Sequence, residues 1–228
     1  MALIPDTEMG SLPKQALKIL WIAAVVAAVG CGASIRPLPP LPAPIPEGAP
    51  RTLPAQPAES GGTASVPADA DDIAYFDANP LMVPVEGVLP GSIPDSFNEA
   101  RDDGRTHRAS DIIVPKGSRV IAAEDGTIMR LSRNALGGIT IYMSVDSGRY
   151  IFYYAHLEGY ADGIAPQEHV LQGQLLGYVG MTGNAPVPHL HFQAMRRDPG
   201  RRDYWNSPAL DVRTFFTISG KVRTSDEQ

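Results

Sequence analysis

Four of the five histidines in the chain stand in local patterns that suit metal or proton-transfer chemistry. In His107-Arg108-Ala109-Ser110-Asp111 an imidazole and a carboxylate lie four positions apart. On a straight strand those side chains would stand about 13 Å apart, too far to share an ion. A turn or bulge feeding the strand brings both within about 2 Å of one zinc. Gly104 upstream and the apolar Ile112-Ile113-Val114 downstream favour a turn that feeds a strand. In His189-Leu190-His191-Phe192, alternation along a strand points both imidazoles the same way, roughly 7 Å apart at the backbone. Two such rings are costly in an apolar core, and a metal or a proton-transfer role accounts for the pair. His156 ends the run Tyr150-Ile151-Phe152-Tyr153-Tyr154-Ala155, where alternation groups it with Tyr150, Phe152 and Tyr154. The fifth, His169 in Pro166-Gln167-Glu168-His169, lies in a polar stretch and reads as surface.

Composition narrows the chemistry. Cys31 is the only cysteine, so no intrachain disulfide and no thiolate zinc cluster can form, and a metal must be held by His and carboxylate. The net charge of -6 and the lack of a long basic run exclude a general nucleic-acid binder, which neutralises phosphate with clustered Lys and Arg. There is no HExxH helix to supply a Glu base and no G-x-S-x-G elbow for serine hydrolysis. At 228 residues and 43% hydrophobic composition, one domain with tails can bury a real core.

The elements that must position these residues are strands. From about residue 78 to 218 the apolar runs are short and rich in β-branched and aromatic side chains: Leu81 to Val85, Asp111 to Val114, Arg119 to Ala123, Thr127 to Leu131, Gly138 to Ser144, Tyr150 to His156, Leu175 to Val179 and Leu190 to Met195. Gly, Asp, Asn and Ser cluster between them, with hairpin turns expected at Asn134 to Gly138 and Asp146-Ser147-Gly148. The expected fold class is mostly β, a compact antiparallel-sheet domain. Residues 219–228 read as a polar, frayed tail.

Ahead of this domain, Lys14 and Lys18 precede the apolar run Ile19 to Ile35, in the order of a signal peptide or signal anchor. Seventeen residues as a helix reach roughly 26 Å, short for a bilayer core of about 30 Å. Ala28-Val29-Gly30-Cys31-Gly32 resembles the lipobox before a lipidated cysteine, although Ala28 stands where that pattern prefers Leu. A spanning anchor, a lipid anchor and a cleaved signal all remain open for residues 1–35. Residues 36–77 are expected to be a disordered Pro/Ala-rich linker, whose polyproline II segments extend about 3.1 Å per residue.

Three motifs in order, His107xxxAsp111, Tyr154-Ala155-His156-Leu157, and Gly180-Met181-Thr182-Gly183-Asn184 followed by His189-Leu190-His191-Phe192, resemble the lysostaphin-type or LytM-domain zinc metalloendopeptidases. The resemblance covers about Leu81 to Met195, and Pro115-Lys116-Gly117-Ser118 and Gln172-Gly173-Gln174 add to it. It implies a LytM-like peptidase domain over 78–218, one zinc ion, and cleavage of peptide bonds in bacterial peptidoglycan. It also implies roles: His107, Asp111 and His191 as zinc ligands, and His156 and His189 as the catalytic pair beside the metal. Ala109 departs from the family, which often has Gly there. The order of anchor, linker and domain implies an envelope protein, membrane-anchored through its N-terminus, with the domain on the extracytoplasmic side. A non-catalytic LytM-like module that binds peptidoglycan or regulates a cell-wall amidase is the rival reading, and filled positions at all five residues favour catalysis.

Overall fold

The computed structural model describes residues 64–101, 104–198, 200 and 203–223. The expected anchor, the lipobox around Cys31 and most of the linker lie outside these residues, and no described helix is long and apolar enough to cross a membrane. The described chain has one α-helix followed by eleven strands, with four short 3-10 helices among them: α1 (Ala70–Ala78), β1 (Leu81–Met82), β2 (Ser110–Ile113), β3 (Arg119–Ile121), β4 (Gly126–Asn134), β5 (Gly138–Val145), β6 (Tyr150–Tyr160), β7 (His169–Val170), β8 (Leu175–Val179), β9 (His189–Arg196), β10 (Ala209–Leu210) and β11 (Phe216–Ile218).

Nine strands form one antiparallel sheet whose main path runs β10-β9-β6-β5-β4-β7. The length of β6 and β9 lets each hold two partners end to end along one edge. Tyr150 to Ala155 of β6 pair with β9, and Leu157 to Tyr160 pair with β8. On the far edge of β9, its first half pairs with β2 and its second with β10. β1 and β11 make a separate parallel pair. Of the five strands of two or three residues, β7, β10 and β11 lie outside the apolar runs, whereas β1, β3 and the longer strands sit where those runs lie.

Alternation divides the sheet into two faces. Tyr150, Phe152 and Tyr154 of β6 join Ile141 and Met143 of β5 and Leu190, Phe192 and Ala194 of β9 in the main core. Each large buried side chain there contributes roughly 1.5–3 kcal/mol. The opposite face carries Tyr142, Ile151, Tyr153, Ala155 and Met195, a smaller cluster that floors a groove. This face carries the candidate residues His107, Asp111, His156, His189 and His191.

Two boundaries differ from expectation. The linker expected over 36–77 is helical from Ala70 on, because Asp69 caps α1 and forms a capping box with Asp72. Phe76 then packs on Tyr150 and Phe215. Asp72, fully buried, accepts from Tyr150 Oη at 2.9 Å and Arg196 Nη2, and pairs with Arg149 at 3.4 Å. Burial alone would raise its pKa, but those donors hold it below the ordinary carboxylate value. The tail expected from 219 on is docked as far as Arg223, whose N–H donates to Gly173 O at 2.8 Å. Gly220 lies against Val85, where a Cβ would come within 1.8 Å of the carbonyl oxygen, so only glycine lets that strap close.

Candidate metal centre

His107 is brought back toward Asp111 by a turn. Arg108 takes a left-handed φ of 58°, while the backbone N–H groups of His107 and Arg108 donate to Glu99 O and Phe97 O at 2.8 and 2.7 Å. The chain then enters β2, with Asp111 paired directly to His191 of β9. Ala109, the departure from the family pattern, is 2% exposed and is not the left-handed residue, so its methyl fits without strain. His107 Nε2 lies 2.9 Å from Asp111 Oδ1 and 3.1 Å from His191 Nδ1, and His191 Nδ1 lies 3.0 Å from the same oxygen.

This triangle is the size of one ion's ligand face. Donor atoms about 2.0–2.1 Å from a tetrahedral zinc are separated by about 3.3 Å, and two imidazoles with one carboxylate are a donor set that zinc accepts. His107 Nδ1 donates to Ser96 O at 2.9 Å, which fixes the tautomer and leaves Nε2 to face the carboxylate. Asp111 is pulled two ways: burial raises its pKa, but its close pairing with the imidazoles of His107 and His191 holds it far below the ordinary value, so it is ionised. Burial also lowers the pKa of His191, against the opposing pull of Asp111.

His156 reaches this site through a break in its strand. The pairing of β5 with β6 steps from Ile141 opposite Tyr154 to Ile139 opposite Leu157, which leaves one extra residue on β6. His156 takes φ 61° at that bulge and donates its N–H to Gly137 O at 2.7 Å. Its side chain lines the groove, so the expected grouping with Tyr150, Phe152 and Tyr154 is corrected: the bulge turns His156 to the opposite face, and Leu157 returns to the core. His189 and His191 share the groove face, as alternation requires. The ring centroids of His156 and His189 are 4.7 Å apart, and one nitrogen from each of His156, His189 and His191 lies within 4.8 Å of the others.

Both outer imidazoles are held at Nδ1, His156 by Thr182 O at 2.8 Å and His189 by Val187 O at 2.9 Å, which leaves each Nε2 available. Burial and the charge of His191 lower the His156 pKa to about 4, so it is neutral at pH 7. The groove has a volume of about 600 Å³, and Arg101, Tyr142, Tyr153, Val187 and Trp205 line it beside the histidines. His169, read as surface, is exposed and pairs with Thr127, away from the groove.

Ser96, Thr182 and Arg101 were not legible as site residues. Ser96 and Thr182 act on histidines through backbone carbonyls, which carry no residue signature. Arg101, whose Nη2 is 2.6 Å from Asp111 Oδ2, lies in the stretch from Asn98 to Gly104, a candidate groove loop by sequence whose orientation toward Asp111 no spacing reveals.

Residues 105–203 match the family model Peptidase family M23. Over 89 residues the chain is 36% identical to Peptidoglycan DD-endopeptidase ShyC of Vibrio cholerae, covering 39% of this chain and 20% of that protein. It is 32% identical over 133 residues to the L-Ala--D-Glu endopeptidase of Bacillus subtilis, covering 54% of this chain and 40% of that one. The match therefore spans less than half the length of either relative. The catalytic domain of lysostaphin from Staphylococcus simulans aligns at 26% identity over 62% of this chain and 95% of that domain, with a TM-score of 0.44. Over residues 105–203, fewer than half of its length, the chain is thus similar to Peptidase family M23.

Proposed function

We propose that the chain is a zinc-dependent endopeptidase that hydrolyses peptide bonds in the cross-links or stem peptides of bacterial peptidoglycan. The observation that carries this reading is the 2.9–3.1 Å triangle of His107, Asp111 and His191 in an open groove, with two further imidazoles beside it. His107, Asp111 and His191 would hold one zinc ion, three protein ligands leaving a position open for chemistry. Zinc bound there would polarise the scissile carbonyl and lower the pKa of water toward 7.

His156 and His189 supply acid–base catalysis in this reading. Each presents Nε2 toward the site with Nδ1–H anchored to a carbonyl, so each can take a proton from water at Nε2 and pass it to the leaving amine. A protonated His156 is disfavoured by burial and by His191, which promotes that onward transfer. In this reading a peptide segment would lie in the groove of about 600 Å³, whose lining includes Tyr142 and Tyr153.

The N-terminal segment completes the proposal. Lys14 and Lys18 before the apolar run of residues 19–35 favour a membrane tether on the extracytoplasmic side, and the Pro-rich stretch lets the domain reach the wall. Replacing Cys31 with Ser changes the mass and membrane fractionation if the tether is a lipid, and leaves both unchanged beyond the substitution itself if it is a spanning helix.

The test is digestion of purified peptidoglycan by the full chain, with and without a chelator and zinc add-back, read by mass spectrometry of the released muropeptides. Zinc-dependent appearance of new peptide ends is the expected result and names the bond. No release by a chain that carries one zinc would replace this reading with the binding-module one.

A further inference from the structure

The two oxygens of Asp111 are used differently. Oδ1 faces the histidines, 2.9 Å from His107 Nε2, 3.0 Å from His191 Nδ1 and 3.6 Å from His189 Nε2. Oδ2 is turned away from them and accepts from Arg101 Nη2 at 2.6 Å, within the range of a strong charge-assisted bond. The Arg101 side chain is 38% exposed and that of Asp111 16%, so the pair is screened and adds little to stability. Its use is directional.

The segment that carries Arg101 also delivers His107. Ala100 bridges Thr106, Arg101 N–H donates to Arg105 O at 2.8 Å, and Gly104 N–H returns to Arg101 O at 2.9 Å with Gly104 at φ 79°. The return limb continues into His107, whose N–H donates to Glu99 O. One short hairpin thus sets the position of a ligand and of the guanidinium that grips another ligand's second oxygen.

We propose that Arg101 is a positioning residue that limits Asp111 to ligation through Oδ1 alone. A carboxylate with both oxygens unengaged can bind an ion through one or two of them, and the second oxygen would add a ligand to a three-residue site. Two-oxygen ligation would take up the position that substrate chemistry needs and would weaken the ion as a Lewis acid. Arg101 prevents it by occupying Oδ2 and by neutralising the charge there. This inference rests on the metal reading of the His107, Asp111 and His191 triangle.

The test uses the full chain loaded with Co2+ in place of zinc and its visible absorption, which is intense for four-coordinate cobalt and weakens when a fifth ligand binds. The parent should show the intense bands at one Co2+ per chain. Arg101→Ala should keep the ion but lose band intensity, and Arg101→Lys, which restores a cationic donor, should recover much of it. Arg101→Met retains the aliphatic stem without the donor and serves if the alanine variant fails to fold. In peptidoglycan-peptide hydrolysis, Arg101→Ala should lower kcat by about 10- to 100-fold at unchanged KM, the usual cost of losing an outer partner of a metal ligand. An Arg101→Ala spectrum that superimposes on that of the parent would overturn the proposal, as would a change confined to KM, which would make Arg101 a substrate contact. A parent that takes up no cobalt would instead remove the metal reading itself.

Discussion

Asp111 and His191 are direct partners across β2 and β9, and their facing atoms, Oδ1 and Nδ1, are 3.0 Å apart. The proposed ligand pair is thus a consequence of strand register. A slip of one residue would send either side chain to the opposite face of the sheet. His191→Ala is expected to abolish stoichiometric zinc and activity together, as read by metal analysis of the purified variant. A variant that keeps one zinc per chain would refute the ligand assignment.

The outer histidines should separate from the ligands in the same assay. His156→Ala and His189→Ala are each expected to retain zinc and to lose on the order of 10² to 10⁴ in rate, the usual weight of acid–base catalysis. Loss of zinc from either would mean that ligand and catalyst have been exchanged, since one nitrogen of each also lies within 4.8 Å of one from His191.

Thr182 ties the loop before β9 to the bulge that carries His156. Its Oγ1 accepts from Ile139 N–H at 2.9 Å and donates to Leu157 O at 2.7 Å, while its carbonyl holds His156 Nδ1. Thr182→Val leaves both buried backbone groups without that partner and should cost about 1–3 kcal/mol in denaturant unfolding, with Thr182→Ser close to the parent. Equal stability of the valine and serine variants would show that the hydroxyl contributes nothing.

How much of this was legible depends on whether a feature is carried by side-chain type or by backbone. The strand runs, the shared face of His189 and His191, and the need for a turn between His107 and Asp111 follow from spacing and alternation. The face of His156 does not, because one extra residue in β6 reverses the alternation and no residue type announces the bulge. Helix α1 was hidden by the Pro/Ala-rich stretch before it, although Asp69 and Asp72 carry a capping-box spacing. Arg101 could be found only once the hairpin had folded it onto Asp111.

A buried carboxylate outside the groove makes stability depend on pH. Burial pushes the Glu124 pKa up to about 7; Tyr75 Oη donates to Oε1 and partly offsets this, while Oε2 has no partner. Between about pH 4.5 and 7 the native chain holds a proton that the unfolded chain has released, so this group's contribution to stability falls as pH rises. Glu124→Gln cannot ionise and should gain on the parent across that window, by on the order of 1–3 kcal/mol. Unfolding curves of the two at pH 5 and pH 7.5 check this, and a constant difference would refute it.

In the proposed function, one ion at His107, Asp111 and His191 makes the groove a peptidase. The most direct measurement strips the full chain of metal, titrates zinc back, and follows release of new amino groups from peptidoglycan. The stripped chain should release none, and release should rise with added zinc and level off at one zinc per chain. Release that is unchanged by stripping, or that needs more than one ion, would contradict that function.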